Sequence, residues 1–571
     1  MATFTRLERC LLPPPEMIHW DHGNLTIEKC SIIQKTAHCV KNFFAFTSCL
    51  LILPFTLTYD WLAQKHVITV LKTADITPAN PAWPPVMRGF AASTFQTSGL
   101  GTKWAAAPKL SGKCDWDKWM EKPQHVIHPK GFDYQNFFTD ILSDPTAYIE
   151  MLKSQNVTAH RFSLEWSIIE PRSGEIDMKA VNLYRNFIKM LLEADITPSV
   201  TLSHFVLPEW FYESGAFQKI ENIDLYINFA LQAMQLFPTV KDWWSFNELG
   251  VKAFQQTREV YPTDIPEGSS LSTRVHAAGI STRNMLIAHC KLHQAVAKLH
   301  PDKKIGVTHQ WLKFDTATGN WLERLFSYIF TKFGFTPVYQ FFKDGRYSFE
   351  FPFMANIQFE VPKEEFDANN HFLMRIGVQA YPNPMIKMGL NHGKTYPGLP
   401  SVIKNLPFFS FGSTCEPEGT VMRFGPRWKS DAMDKILDEA FALTNQVYIT
   451  EYGSDSRIQK WGCGGFEQDD QAQSNYLKQL TERVRDYSAR TLREIKGIFC
   501  WSDLRRQMEW ENGFECKLAI VEPIVDKNRR MTGWIQTPAS RYLAEVYDQK
   551  SKQDRNLIVR WCLVLICLLS D

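Results

Sequence analysis

The chain has 571 residues, 22% charged and 44% hydrophobic, with 63 Lys and Arg against 61 Asp and Glu. That balance excludes a disordered chain, a basic nucleic-acid binder and a polytopic membrane protein, and it leaves enough apolar residues for a large core. The 12 cysteines are scattered singly, without a CxxC or Cys/His cluster. Neither a zinc site nor a dense disulfide framework is indicated, and free thiols are expected. Cys463, Cys500 and Cys516 are the three that could meet in space.

Residues 1–85 read differently from the rest. Pro13, Pro14 and Pro15 open the segment, and an apolar run over 43–59, interrupted by Pro54, follows. The run begins too far into the chain for a signal peptide. It lies at the short limit for spanning a bilayer, so two readings stay open: a membrane-associated segment, or an apolar helix packed on the main domain. Lys35, His38 and Lys41 precede it and Asp60 and Lys65 follow, so a spanning segment would keep the N-terminus in the cytoplasm. A second apolar run, 561–569, is too short to span. The expected organisation is an extension over 1–85, a main domain over 86–548 and a tail over 549–571, with removal of 1–85 leaving an active main domain. Localisation stays open between cytoplasm and membrane.

From 86 to 548, short apolar runs alternate with long stretches whose apolar residues recur every three or four positions. The runs 88–92, 159–162, 198–202, 243–246, 304–307, 376–379, 447–450 and 498–501 read as strands. The stretches 180–194, 220–236, 274–299, 430–443 and 471–487 read as amphipathic helices. Eight such alternations predict a (β/α)8 barrel of the α/β class.

In such a barrel the chemistry sits where the strands end. Gln96 follows the first strand, Arg161 lies in the second, His204 follows the third, and Asn247 and Glu248 follow the fourth. Tyr381 comes after the sixth strand, Glu451 after the seventh and Trp501 at the eighth, with Glu509 and Trp510 beyond. A single Glu at a strand end is most often a solvated loop carboxylate. Glu248 and Glu451, three βα units apart, are placed to face each other across the barrel mouth. Paired carboxylates suit glycoside hydrolysis, where one protonates the leaving oxygen while the other attacks the anomeric carbon or activates water.

The ordered motifs are specific as a set. Gly89-Phe90-Ala91-Ala92-Ser93-Thr94-Phe95-Gln96, His160-Arg161-Phe162-Ser163-Leu164-Glu165-Trp166 with Glu170-Pro171, and Thr201-Leu202-Ser203-His204-Phe205-Val206-Leu207-Pro208 come first. Phe246-Asn247-Glu248, Ile449-Thr450-Glu451-Tyr452-Gly453, and Trp501 with Glu509-Trp510 follow. Over residues 86–548 the chain resembles the retaining β-glycosidases of glycoside hydrolase family 1. The resemblance implies that Glu248 is the general acid/base and Glu451 the nucleophile of a double displacement, a pair that stands about 5–5.5 Å apart in retaining enzymes. It further implies that Arg161 and Tyr381 contact the nucleophile and keep it ionised, and that Asn247 donates to the sugar 2-hydroxyl. Gln96, His204, Glu509 and Trp510 match positions that hold the other hydroxyls, and Trp501 matches an indole floor under the ring. The expected partner is a carbohydrate, a β-glucoside-type substrate, and no nucleic acid. No cofactor and no metal are implied.

The chain also departs from the family pattern. Leu249 stands for the usual Pro after the acid/base, Phe205-Val206 for Trp-Asp after the His, Tyr452 for Asn after the nucleophile, and Gln379-Ala380-Tyr381 for Asn-Tyr-Tyr. One residue is inserted between Trp501 and Glu509. Phosphoglycosidase members carry Ser or Ala where this chain has Glu509, so a 6-phosphosugar is disfavoured, although Lys517 lies nearby. The alternative function is a catalytically silent sugar- or protein-binding barrel of the klotho type; two retained glutamates speak against it.

Overall fold

The computed structural model describes residues 12–13, 15–28, 85, 87–106, 110–122, 125–126, 137–316, 321–381, 385–388, 409–411, 421–422, 432–459 and 467–548. The apolar runs 43–59 and 561–569, and Cys463, lie outside these residues. Among the described residues no helix is long and apolar enough to cross a membrane, and Cys114, Cys290 and Cys500 are free, buried thiols.

In chain order the strands that matter here are β1 (Glu16–Asp21), β2 (Asn24–Glu28), β3 (Met87–Ala91), β4 (Ala159–Ser163), β5 (Thr197–Ser203), β6 (Asp242–Phe246) and β7 (Lys304–Gln310). They continue with β8 (Arg346–Phe351), β9 (Ala355–Glu360), β10 (Ile376–Gln379), β11 (Val447–Glu451) and β12 (Gly497–Trp501). Strands β3 to β7 and β10 to β12 close into one parallel barrel in the order β10-β11-β12-β3-β4-β5-β6-β7, with β7 returning to pair with β10. All eight coincide with the runs read from the sequence, because each is a short, almost wholly buried apolar segment, as a strand covered on both faces must be. The expected helices are present as Met178–Glu193, Ile223–Leu236, Leu271–Leu299, Ala432–Phe441 and Asp470–Thr491.

The largest cluster of buried apolar side chains lies between the strands and the helices around them. Ala91, Ala159, Trp244, Tyr448, Phe499 and Trp501 form a separate cluster. These residues come from strands β3, β4, β6, β11 and β12 and from no helix, so they fill the lumen. The barrel is therefore a packed core on which side chains at the strand ends are held rigidly. A third cluster, rich in aromatic rings, is built from segments that follow the barrel strands and includes Phe95, Trp116, Phe205, Tyr261 and Trp510.

Outside the barrel, β8 and β9 form a hairpin that β1 joins in parallel and β2 extends, giving the sheet order β2-β1-β9-β8. Trp20 of β1 is buried edge-on against Phe359 and Phe372, and its indole N–H donates to Glu365. Residues 16–28 fall within the segment read from the sequence as an extension, and these contacts tie them to the barrel body.

Candidate active site

Glu451 is the last residue of β11 and is buried. Its Oε1 accepts from Arg161 Nη1 and from Gln379 Nε2, each at 2.6 Å, and its Oε2 accepts from the Tyr381 hydroxyl at 2.9 Å. Arg161 projects from β4 and is 1% exposed. Its Nη2 donates to Asn247 Oδ1 at 2.6 Å and its Nε to Thr201 Oγ1 at 3.1 Å, so the planar guanidinium spans two barrel partners at once.

Glu248 follows β6 and caps the helix Leu249–Thr257 with left-handed backbone, φ 44° and ψ 62°. For a non-glycine residue this conformation costs roughly 1–2 kcal/mol. It is held from both sides: the Glu248 N–H donates to Thr308 O on β7 at 3.1 Å, and its carbonyl accepts from Lys252 N at 3.0 Å. Leu249 opens that helix fully buried, so the missing Pro leaves the helix start intact. Next to it, a Cβ on Gly250 would lie 1.8 Å from the Gly334 carbonyl, and this close approach fixes the helix that carries Glu248. Among the described residues no side chain hydrogen-bonds the Glu248 carboxyl.

Burial pushes both carboxyls above the usual range, and the Glu451 charge raises Glu248 further. Arg161, Tyr381 and Gln379 pull Glu451 back down, and only the more remote Arg161 charge opposes the rise at Glu248. Of the two carboxyls Glu248 therefore holds a proton the more tightly, and Glu451 is the one whose ionised form its neighbours favour. A protonated carboxyl facing an ionised one is the arrangement that acid-assisted displacement at an acetal carbon requires.

The second set of expected residues converges on the same barrel end. Glu509 Oε2 accepts from Gln96 Nε2 at 3.3 Å and from Trp501 Nε1 at 3.4 Å. The loop is locked to Gln96 by a reciprocal pair, Gln96 Nε2 to Met508 O at 2.7 Å and Met508 N to Gln96 O at 2.8 Å. The insertion between Trp501 and Glu509 thus leaves Glu509 beside Gln96 and Trp501. The His204 ring stacks on Trp501 with centroids 5.4 Å apart and an interplanar angle of 18°. Burial, then the Arg161 charge, holds His204 well below its ordinary pKa, so the ring is neutral. Gln96 Oε1, His204 Nδ1 and Asn247 Nδ2 are buried with no hydrogen-bond partner among the described residues. Buried polar atoms left unpaired at one place are those a polar ligand would satisfy.

Trp510 sits in the aromatic cluster, stacked on Phe95 at 6.0 Å and packed against Trp116, Phe205 and Tyr261 at 4.9, 5.3 and 5.4 Å. Phe205, in place of the family's Trp, is one wall of that cluster. Tyr452 turns away from the site, and its hydroxyl meets that of Tyr547 at 3.0 Å. Two contributors were not singled out from the sequence. Gln379 bridges Glu451 and Asn247, with Nε2 2.6 Å from Asn247 Oδ1, and Thr308 Oγ1 donates to the same oxygen at 3.1 Å. The available signal was a polar residue ending an apolar strand: Gln379 closes β10, and Thr308 is one of the polar residues near the end of β7.

A family model described as glycosyl hydrolase family 1 matches residues 87–350. The chain is 24% identical over 474 residues to a 6-phospho-beta-galactosidase of Staphylococcus haemolyticus, covering 76% of this chain and 92% of that protein. It is 25% identical over 389 residues to a 1,4-beta-D-glucan glucohydrolase of Thermotoga neapolitana, covering 65% of this chain and 83% of that protein. Among solved structures, the family 1 β-glucosidase from Thermotoga maritima superposes with a TM-score of 0.61 at 21% identity, over 82% of this chain and 98% of its own. At that identity the likeness establishes the fold.

Proposed function

We propose that this chain, a glycoside hydrolase matched over residues 87–350 by glycosyl hydrolase family 1, is a retaining β-glycosidase acting on β-glucoside-type substrates with Glu248 and Glu451 as its reacting groups. In the first step Glu451 attacks the anomeric carbon while Glu248 gives its proton to the glycosidic oxygen, so the aglycone leaves as a neutral alcohol and the sugar stays bonded to Glu451. Glu248, now ionised, takes a proton from water as that water attacks the anomeric carbon and breaks the bond to Glu451. Two inversions leave the product with the β configuration. Arg161 and Tyr381 keep Glu451 charged and aimed, and Asn247 offers Nδ2 to the sugar.

One observation carries the reading: three donors grip Glu451, and no side chain among the described residues hydrogen-bonds Glu248. A barrel that only bound sugar would have no use for this division of charge. Gln96, His204 and Glu509 supply polar contacts for ring hydroxyls, and Trp501 supplies a flat apolar surface. The 6-phosphosugar named for the Staphylococcus relative fits this chain less well. The Glu509 carboxylate would repel a phosphate, and Lys517 Nζ is engaged with Gln468 Oε1 at 3.0 Å.

The test is a panel of 4-nitrophenyl β-glucoside, β-galactoside and 6-phospho-β-galactoside, with the first-formed anomer read by proton NMR. Release from the β-glucoside with the β anomer appearing first is expected. An α first product would overturn retention, cleavage of the phosphosugar alone would overturn the glycone, and no release from any of them would favour a binding barrel.

A further inference from the structure

Asp503 lies two residues beyond Trp501, inside the span to Glu509 in which this chain carries one residue more than the family pattern. Its Oδ1 accepts from the Leu504 N–H at 2.7 Å, and its Oδ2 meets the Tyr148 hydroxyl. Tyr148 belongs to the helix Thr146–Ser154, and its hydroxyl oxygen also lies 3.0 Å from His160 Nε2. His160 precedes Arg161 on β4, and its Nδ1 is 3.2 Å from the Phe90 carbonyl oxygen on β3. The side chains of Asp503, Tyr148 and His160 are all fully buried. The span they meet is bonded within itself: Ser502 Oγ donates to Gln507 Oε1 at 2.5 Å, and Gln507 Nε2 donates to Glu509 Oε2 at 3.4 Å.

These bonds fix where the protons lie. A carbonyl can only accept, so His160 Nδ1 carries a proton and gives it to Phe90 O; the Leu504 N–H can only donate, so Asp503 Oδ1 carries none. Two links remain, from Tyr148 to Asp503 Oδ2 and from Tyr148 to His160 Nε2, and the Tyr148 hydroxyl has one proton to give. The other link takes its proton from Asp503 Oδ2 or from His160 Nε2. The first choice leaves both side chains neutral, whereas the second buries a cation and an anion, which burial disfavours. Burial accordingly raises Asp503 to about 6 and depresses His160 to about 3. Cys500 on β12, the other titratable side chain on which the Asp503 charge acts, is a buried thiol raised by burial and then by that charge, so it stays neutral. The complete chain runs from the Asp503 O–H to Tyr148, from the Tyr148 O–H to His160, and from His160 to Phe90.

Resting on the β-glycosidase reading above, in which Trp501 and Glu509 hold the sugar, we propose that Asp503 is a positioning residue. As a protonated acid it hooks the span carrying those two groups onto β4 and the helix Thr146–Ser154, and so sets how tightly the sugar is held. It acts through Trp501 and Glu509 and touches no reacting atom.

The experiment measures kcat and KM for 4-nitrophenyl β-glucoside at pH 5, where Asp503 holds its proton. It compares the unmodified protein with Asp503→Leu, Asp503→Asn and Tyr148→Phe, and thermal melts show that each is folded. Contacts that hold the sugar equally in the ground and transition states affect KM and leave kcat unchanged. Asp503→Leu should raise KM roughly 3- to 10-fold, about the worth of one hydrogen bond, with little change in kcat. In Asp503→Asn the Leu504 N–H holds Oδ1, so Nδ2 faces Tyr148 and donates as the acid does, and KM should return close to that of the unmodified protein. Tyr148→Phe keeps the ring and removes the hydroxyl, so it gives the same rise in KM should Asp503→Leu fold poorly. A folded Asp503→Leu or Tyr148→Phe protein with KM unmoved overturns the proposal, whatever its melting temperature, as does an Asp503→Asn protein as impaired as Asp503→Leu. An unmodified protein that does not hydrolyse the glucoside overturns the β-glucoside reading and this inference with it, and that failure is seen before any substitution is made.

Discussion

Arg161 is where stability, ionisation and orientation meet, so its replacement gives the sharpest consequences. Its guanidinium contacts Glu451 and Asn247 at 2.6 Å each and Thr201 at 3.1 Å while almost wholly buried. Arg161→Lys keeps the charge, but one ammonium cannot take the place of a planar fork on two acceptors. The hydrogen bond that the shorter side chain fails to make to one of these acceptors is charge-assisted and worth about 1.5–3 kcal/mol. At about 1.4 kcal/mol per decade, kcat/KM is expected to fall roughly 10- to 150-fold. Arg161→Met removes the charge as well. Breaking a buried pair typically costs about 3–5 kcal/mol, a large part of the roughly 5–15 kcal/mol that holds a protein folded. Glu451 must be ionised to attack, and burial already pushes its pKa upward against the pull of Arg161. Without that pull the carboxyl protonates at higher pH, and the acid limb of the kcat/KM profile moves to higher pH. The assay is kcat/KM against pH on an aryl β-glucoside for the three proteins, with thermal melts to monitor folding. A folded Arg161→Met protein whose acid limb coincides with that of the unmodified chain would refute the reasoning.

Glu248→Gln should abolish turnover of substrates with poor leaving groups yet spare formation of the glycosyl intermediate from an activated aryl glycoside, seen as a burst of released phenol; equal loss on both classes would contradict the division of roles. Trp20→Ala empties a buried site against Phe359 and Phe372 and is expected to cost about 3–5 kcal/mol in denaturant unfolding, whereas an unchanged unfolding midpoint would mean that residues 16–28 add nothing to the barrel body. Burial raises Asp115 to about 8, so between its unfolded value and about pH 8 the folded chain holds a proton that the unfolded chain has released, and stability falls as pH rises through that window. Burial depresses His289 and His309 to about 4, so their contribution is lost as pH falls below the ordinary histidine value. Melting temperature should therefore peak near the ordinary histidine value of about 6.5, and Asp115→Asn should shrink the alkaline fall; a fall as steep as in the unmodified protein would dismiss Asp115 as its source.

The barrel was legible because each of its strands is a short, nearly buried and mostly apolar run, and polar residues at the ends of the runs break that apolarity in a conspicuous way. Glu248 and Glu451 stood out for that reason, and Arg161 stood out as a charge in the middle of an otherwise uncharged strand. Pairings distant in sequence were not legible. The parallel match of β1 to β9 joins Glu16 to Ile357, and nothing in the 16–28 hairpin marks its partner. The hydrogen-bonding role of Gln379 depends on Asn247, Arg161 and Glu451 converging on it from three other strands, which a reading along the chain does not display. Trp510 packs against His204 and against rings near residues 95, 116, 205 and 261, a convergence that no local pattern announces. Loop convergence of this kind is set by tertiary packing and leaves no periodicity to read.

The most direct measurement is trapping of the covalent intermediate. An activated 2-deoxy-2-fluoro-β-glucoside slows both steps, but its good leaving group favours the first, so the sugar accumulates on the nucleophile. Peptide mass spectrometry of the inactivated protein should find a single label on Glu451, with none formed in Glu451→Gln. Clean turnover of β-glucosides with the label on another residue, or with no covalent adduct and an α first product, would contradict the assignment of Glu451 as the nucleophile of a retaining reaction.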